Sequence, residues 1–222
     1  MKTILFQGDS ITDCGRLRPT NNSFVKFYNK LKKKTPLGPG YPALVADELK
    51  GGYSFVNRGV GGDKAADVYS RIVADIINVK PDVMSLLVGV NDVWREFDQN
   101  CGTGLERFKK IYTILIEEIL EELPETKIML MEPFVLEGTA TRNSAEQPDR
   151  LEKFRKGVEE VAEVVKDIAE RYNLIFIPLQ AVLNEAAEKY GANNILGDGV
   201  HPTAKGHEII KNEWLKAFEE IK

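Results

Sequence analysis

A serine, an aspartate and a histidine can together transfer an acyl group, and this chain carries one of each in segments that read as loops. Ser10 ends the run Gln7-Gly8-Asp9-Ser10, and Asp198 and His201 share the run Gly197-Asp198-Gly199-Val200-His201-Pro202. A serine hydroxyl is a poor nucleophile until a neutral imidazole takes its proton, and that imidazole needs a carboxylate to fix its tautomer. Asp198 and His201 stand three residues apart in a Gly-containing loop, so one turn suffices to bring the carboxylate to the ring. Acyl transfer also needs donors aimed at the developing oxyanion. The backbone N–H groups of Ser10 and Gly62 and the side-chain amide of Asn91 are candidates for that role. Taken singly, each segment has an ordinary structural reading. A serine after Gly-Asp caps a helix, Gly61-Gly62 makes a tight turn, and Asn91-Asp92 is a turn pair. His207, the other of the two histidines, falls on a helix and reads as a packing or surface residue. The residues around Ser10 do not spell Gly-x-Ser-x-Gly, so a strained nucleophile elbow is not expected.

The elements that must position these residues alternate between two patterns. Ile4–Phe6, Ser54–Asn57, Val83–Val88, Lys127–Met131 and Leu174–Ile177 are short apolar runs bounded by Gly, Pro, Asp or Asn, and read as strands. Leu105–Leu123 repeats apolar residues every three or four positions (Leu105, Phe108, Tyr112, Leu115, Ile119, Leu123), and Leu151–Tyr172 does the same. A last helix is expected after His201-Pro202 with Thr203 as its N-cap. Strand–helix alternation of this kind predicts a parallel sheet with helices on both faces, in one α/β domain spanning residues 1–222. Ligands of such sheets bind beyond the carboxyl ends of the strands, where all the segments above should collect. Lys30–Tyr41, with Lys32-Lys33-Lys34, Gly and Pro, reads as a solvated surface loop, and no amphipathic flap with exposed large apolar residues is read.

Composition narrows the partners. Of 222 residues, 43% are hydrophobic and 29% charged, and the formal net charge of −4 offers no general attraction to nucleic acid. Cys14 and Cys101 lack any metal-type or Cys-x-x-Cys spacing and read as two reduced thiols. No signal-peptide pattern and no apolar run of membrane-spanning length is read, so a cytoplasmic location is expected, with no cofactor and no metal.

Four ordered blocks complete the reading: Gly8-Asp9-Ser10-Ile11, Gly61-Gly62-Asp63, Gly89-Val90-Asn91-Asp92 and Asp198-Gly199-Val200-His201-Pro202. In these the chain resembles the SGNH hydrolases, the GDSL family of esterases and lipases, over nearly its whole length. The resemblance implies a flavodoxin-like three-layer α/β/α sandwich with a five-stranded parallel sheet. It also implies Ser10 as nucleophile, His201 as base and Asp198 as its orienting carboxylate. The Ser10 amide, Gly62 and Asn91 would form the oxyanion hole. The runs Ser10–Arg16, Asn91–Arg95 and Pro133–Gly138 look like the subgroup of intracellular bacterial acetylxylan esterases. That subgroup deacetylates short xylo-oligosaccharides and tends to form homo-oligomers. This chain departs from it at Gly197, where the relatives carry an aromatic residue, and in the Lys30–Tyr41 segment.

Arg16, Trp94 and Arg95 are candidate substrate-binding residues, since an indole stacks on a sugar ring and a guanidinium donates hydrogen bonds. The expected activity is therefore a serine esterase acting on small acyl esters, acetyl first, on a carbohydrate. Lysophospholipase and thioesterase activities use the same residues. Two other classes compete: a metal-dependent phosphoesterase built on Asp9, Asp13, Asp63, Asp92 and Asp198, and a sugar-binding domain without turnover. Asp9 and Asp63 are expected to brace the loops that carry Ser10 and Gly62.

Overall fold

The computed structural model describes residues Met1–Lys222. Five strands, β1 (Lys2–Gly8), β2 (Tyr53–Asn57), β3 (Val83–Leu87), β4 (Lys127–Met131) and β5 (Ile175–Ile177), form one sheet in the order β2-β1-β3-β4-β5. Every neighbouring pair is parallel, with Ile4 opposite Phe55 on one side and Val83 on the other. This is the flavodoxin-like order expected from the sequence.

Nine α-helices fill the connections: α1 (Ser10–Asp13), α2 (Ser23–Leu31), α3 (Tyr41–Leu49), α4 (Ala65–Ser70), α5 (Val90–Gln99), α6 (Leu105–Glu122), α7 (Arg150–Arg171), α8 (Gln180–Tyr190) and α9 (Ala204–Glu219). Side chains alternate across a strand, so each strand feeds two cores. Ile4, Phe6, Val83, Met129 and Met131 pack with Tyr41, Trp214 and Phe218 from α3 and α9. Leu5, Met84, Leu86, Ile128 and Leu130 pack with Val68, Tyr112, Ile116 and Val165 from α4, α6 and α7. Burial on both faces explains why the central strands read as continuous apolar runs rather than alternating ones. Thr203 caps α9 as expected, its side chain accepting from the Gly206 N–H.

The segment read as a loop is corrected in part. Lys30 and Leu31 close helix α2 and Tyr41 opens α3, so the loop proper is the stretch between them. Helix α2 is amphipathic, and its apolar side faces outward: Phe24 is 74% and Leu31 66% exposed, with Phe27 and Tyr28 beside them. An apolar flap is therefore present where none was read. The periodicity is there at positions 24, 27, 28 and 31, but nine residues are too short a window to separate it from noise.

The chain runs from β1 outward to β2, then crosses back to place β3 on β1's other edge. The resulting switch point lies between β1 and β3, whose carboxyl ends lead directly into Ser10 and Asn91.

Candidate active site

Ser10 is the first residue of α1, in a turn that several contacts define. Asp9 caps the helix by accepting from the Ile11 N–H at 2.9 Å, and its own N–H donates to the Leu87 carbonyl at 3.3 Å. Asn57, at the end of β2, donates to the Thr12 carbonyl at 2.7 Å and accepts from the Gly59 N–H at 2.9 Å. The edge strand is thus stitched to the nucleophile turn. Gly59 lies so close to that turn that a β-carbon would overlap the Asp13 N–H.

The opposite wall is the Leu196–Pro202 loop, closed on itself by the Gly197 N–H donating to the His201 carbonyl at 2.8 Å. Asp198 Oδ1 accepts the N–H groups of Val200 at 2.9 Å and His201 at 2.7 Å, leaving Oδ2 2.7 Å from His201 Nδ1. On the ring's far side, His201 Nε2 lies 2.9 Å from Ser10 Oγ. The structure therefore brings the three residues, 188 to 191 positions apart across the gap, into one hydrogen-bonded chain. Burial pushes the Asp198 carboxyl up, but hydrogen bonds from the His201 ring and from two backbone amides outweigh it and hold the group at about 2. The carboxylate is ionised at neutral pH and can only accept, which puts the ring proton on Nδ1 and leaves Nε2 free to take the serine's. The hydrogen bond to Asp198 raises His201 above the ordinary imidazole value, against the opposing pull of burial.

Asn91 opens α5 at the β3 end and is buried. Its Nδ2 donates to the Asp63 carbonyl at 3.1 Å, which leaves its second N–H for another acceptor. Its Oδ1 accepts from Arg95 Nη2 at 3.1 Å, one helical turn on, so the amide cannot flip without losing both bonds. Gly62 adopts φ +88°, a conformation that favours glycine, and the Gly61-Gly62 turn passes beside Ser10, whose Cβ is 3.8 Å from where a Gly61 side chain would begin.

The rim residues divide. Arg95 sits over the Trp94 ring, 5.3 Å from its centre, and within reach of Gly62. Trp94 lies 5.8 Å from the His201 ring and 6.1 Å from Phe154, ring centre to centre, forming a wall beside the imidazole; its buried Nε1 has no partner. Arg16 departs from expectation. It is buried, donates Nε to the Gly59 carbonyl at 3.1 Å and pairs with Asp13, so it braces the turn after Ser10 rather than standing free at the rim.

The aspartates proposed for a metal are each spent elsewhere. Asp63 pairs with Arg71, and Asp92 accepts from Thr103 Oγ1 at 2.5 Å and from the Ala65 N–H. Burial raises Asp9 to about 7 and Asp92 to about 6. No three His, Cys, Asp or Glu side chains converge as metal ligands would. Asp63 and Asp92 lock the loops of Gly62 and Asn91 together. Sequence reasoning missed a further brace, the segment after β4. Leu136 N–H donates to the Gly199 carbonyl and Ala140 N–H to the Asp198 carbonyl, at 2.8 and 2.9 Å. Thr141 holds that segment's turn, and a β-carbon on Gly138 would overlap the Asp198 backbone. The Pro133–Gly138 run is marked by resemblance, but nothing in it names the Asp198 loop as its partner.

Known proteins share this fold. The sequence profile of the GDSL-like lipase/acylhydrolase family matches residues 6–209, from the first strand into α9. The chain belongs to this family. An acetylxylan esterase from Geobacillus stearothermophilus is 35% identical over 220 residues, 96% of this chain and 92% of that one. A solved structure of that esterase superposes with a TM-score of 0.79 at 33% identity, covering 97% of this chain and 93% of the other. A GDSL-like lipase-family protein from Parabacteroides merdae superposes with a TM-score of 0.85 at 32% identity, covering 98% and 95%. The GDSL-family chain described here is accordingly a carboxylic ester hydrolase. None of its helices is long and apolar enough to cross a membrane.

Proposed function

We propose that this GDSL-family esterase removes acetyl and comparably small acyl groups from a carbohydrate, with Ser10, His201 and Asp198 as its triad. The observation that carries the reading is the unbroken relay Ser10 Oγ–His201–Asp198, at 2.9 and 2.7 Å, beside the free amide hydrogen of Asn91. Ser10 Oγ attacks the acyl carbon as His201 Nε2 takes its proton. The Ser10 and Gly62 N–H groups and Asn91 Nδ2 receive the oxyanion. The imidazolium, steadied by ionised Asp198, then protonates the leaving sugar oxygen. Water enters along the same path and releases the acid.

Kinship with an acetylxylan esterase supports acetyl and saccharide as the two halves of the substrate. Solved variants of that esterase in which a serine, an aspartate or a histidine is replaced are described as catalytic mutants, which supports the same division of roles here. The site is open enough for a polar chain, with the His201 side chain 41% exposed. A cytoplasmic homo-oligomer of single-domain chains is the form that the sequence resemblance of Ser10–Arg16, Asn91–Arg95 and Pro133–Gly138 implies. The test is hydrolysis of p-nitrophenyl esters from acetate to decanoate by wild type and Ser10→Ala. Activity concentrated on acetate and abolished by the substitution is the expected result. Preference for long chains moves the substrate to lipids or thioesters, and activity that survives in Ser10→Ala removes the mechanism.

A further inference from the structure

Between α2 and the exposed edge strand β2 lies a cleft of about 720 Å³ that the esterase chemistry does not use. Its walls carry Arg18, Lys26, Lys30, Lys33, Lys34 and Arg58, together with the buried Arg16, and no aspartate or glutamate lines it. The concentration is local, because the whole chain has 34 acidic against 30 basic residues. Asp13 pairs with Arg16 and Arg18, and Asp75 lies 3.8 Å from Arg58, whereas none of the four lysines has a carboxylate partner. Cations gathered along one concave surface repel one another and raise the local positive potential, which an anionic occupant relieves. Asn29, 8% exposed, lines the same cleft, and Phe55, Val56 and Leu17 give it an apolar floor.

The cleft adjoins the catalytic residues. Arg18 Nη2 is 2.8 Å from Asp13 Oδ2, and a β-carbon at Gly61 would lie 3.9 Å from that oxygen and 3.8 Å from Ser10 Cβ. One carboxylate and one glycine thus separate the cationic wall from the nucleophile. The amphipathic logic of α2 agrees with this placement. The helix turns Lys26, Asn29 and Lys30 into the cleft and its aromatic residues outward, the reverse of what burial of apolar surface alone would select.

Resting on the esterase reading, we propose that this cleft is a subsite for the negatively charged portion of an acylated saccharide, so that the preferred substrate is an acidic sugar ester. The lysines attract the anion and the apolar floor takes the ring face. The acyl group then extends past Asp13 and Gly61 to Ser10.

The test compares an acetylated disaccharide bearing one uronic-acid carboxylate with its carboxyl-reduced, neutral counterpart. Wild type is expected to show about tenfold higher kcat/KM on the acidic ester at low ionic strength, falling toward parity at about 0.5 M salt. The triple variant Lys30→Gln, Lys33→Gln, Lys34→Gln removes three charges from exposed or half-exposed polar positions and is expected to lose that preference while hydrolysing the neutral ester within twofold of wild type. A wild-type ratio near one, or a ratio unchanged by the variant, overturns the subsite. Failure of wild type to cleave either ester overturns the esterase reading instead. The cleft is then read by calorimetric titration of Ser10→Ala with the acetyl-free acidic disaccharide. Binding weakened at least fivefold by the lysine replacements supports it, and absence of binding overturns it. Inhibition of p-nitrophenyl acetate hydrolysis by that disaccharide should be competitive. A non-competitive pattern makes the cleft a separate site and also overturns the proposal.

Discussion

Two histidines contact a potential nucleophile on either side of the short helix α1, and only one of the two sites is built for proton transfer. His201 Nε2 meets Ser10 Oγ at 2.9 Å, and His207 Nε2 meets Cys14 Sγ at 3.3 Å; Ser10 and Cys14 are joined by the Cys14 N–H donating to the Ser10 carbonyl. The difference lies at the other ring nitrogen. Behind His201 stands an ionised carboxylate. Behind His207 stands the Tyr41 N–H, which donates to Nδ1 at 3.2 Å and forces the proton onto Nε2, facing the thiol. Burial then holds His207 at about 4, with the nearby His201 charge adding to the effect, while burial and Asp13 push the Cys14 thiol up. A neutral imidazole with its proton toward a neutral thiol has no vacancy to accept another. The same pair of residue types becomes an acid–base device or a packing contact according to what backs the ring.

That contrast can be broken most sharply at Asp198. Asp198→Asn is expected to lower kcat by about 10³–10⁴ through loss of tautomer control and of imidazolium stabilisation. A drop of less than tenfold would mean that the carboxylate is not what distinguishes the two histidines. Asn91→Ala should cost about 10²–10³ in kcat with the fold retained by circular dichroism, since one oxyanion donor is removed. Wild-type turnover would exclude Asn91 from the oxyanion hole.

The pH profile sharpens the comparison. His201 acts as a base only when neutral, and its pKa is raised, so kcat/KM should climb through a limb above the ordinary imidazole value of about 6.5. The limb should move to lower pH in Asp198→Asn, and should stay in place in His207→Gln. A wild-type limb below pH 6 contradicts the arrangement. Arg95→Ala, which frees the Asn91 amide to rotate, is expected to reduce kcat about tenfold with KM nearly constant. An effect on KM alone would make Arg95 a substrate ligand instead.

The smallest effects fall on the second histidine. Cys14→Ala and His207→Gln should change kcat/KM less than about threefold, because neither residue touches the reacting atoms. His207→Gln acts on stability instead. The folded His207 resists protonation down to about 4 while the unfolded ring takes its proton near 6.5, so wild type loses this residue's stabilisation as pH falls through that window. The stability gap between wild type and variant should therefore narrow by about 2 kcal/mol between pH 7 and pH 5, measured by urea denaturation. A constant gap would show that His207 titrates normally. Comparing the two proteins at each pH also cancels the opposite contribution of Asp9, whose raised value of about 7 favours the fold as pH falls.

The local patterns were legible. The five strands and the long helices α6 and α7 follow from apolar period and turn residues, because each buries its apolar positions against a core that the period itself selects. The Thr203 cap followed from the same rules. Helix α2 escaped because its apolar side meets solvent, so neither length nor burial marks it, and its lysines resembled those of a loop. Arg16 was expected at the rim because a guanidinium there can donate hydrogen bonds to a sugar. Its burial depends on the Gly59 carbonyl, which only folding brings to it, beside the local carboxylate of Asp13.

By itself the sequence determined the alternation of strand and helix and the residue types that stand at the strand ends. It also determined the three-residue step that lets Asp198 reach His201. These are local facts, set by backbone geometry over a few positions. The tertiary structure decided what no local pattern encodes. It decided that β3 crosses to the far side of β1 and so sets Asn91 beside Ser10. It also brought the post-β4 segment against the Asp198 loop and put an N–H rather than a carboxylate behind His207. Each of these is a long-range contact, and its partner is chosen by how the two cores close around the sheet.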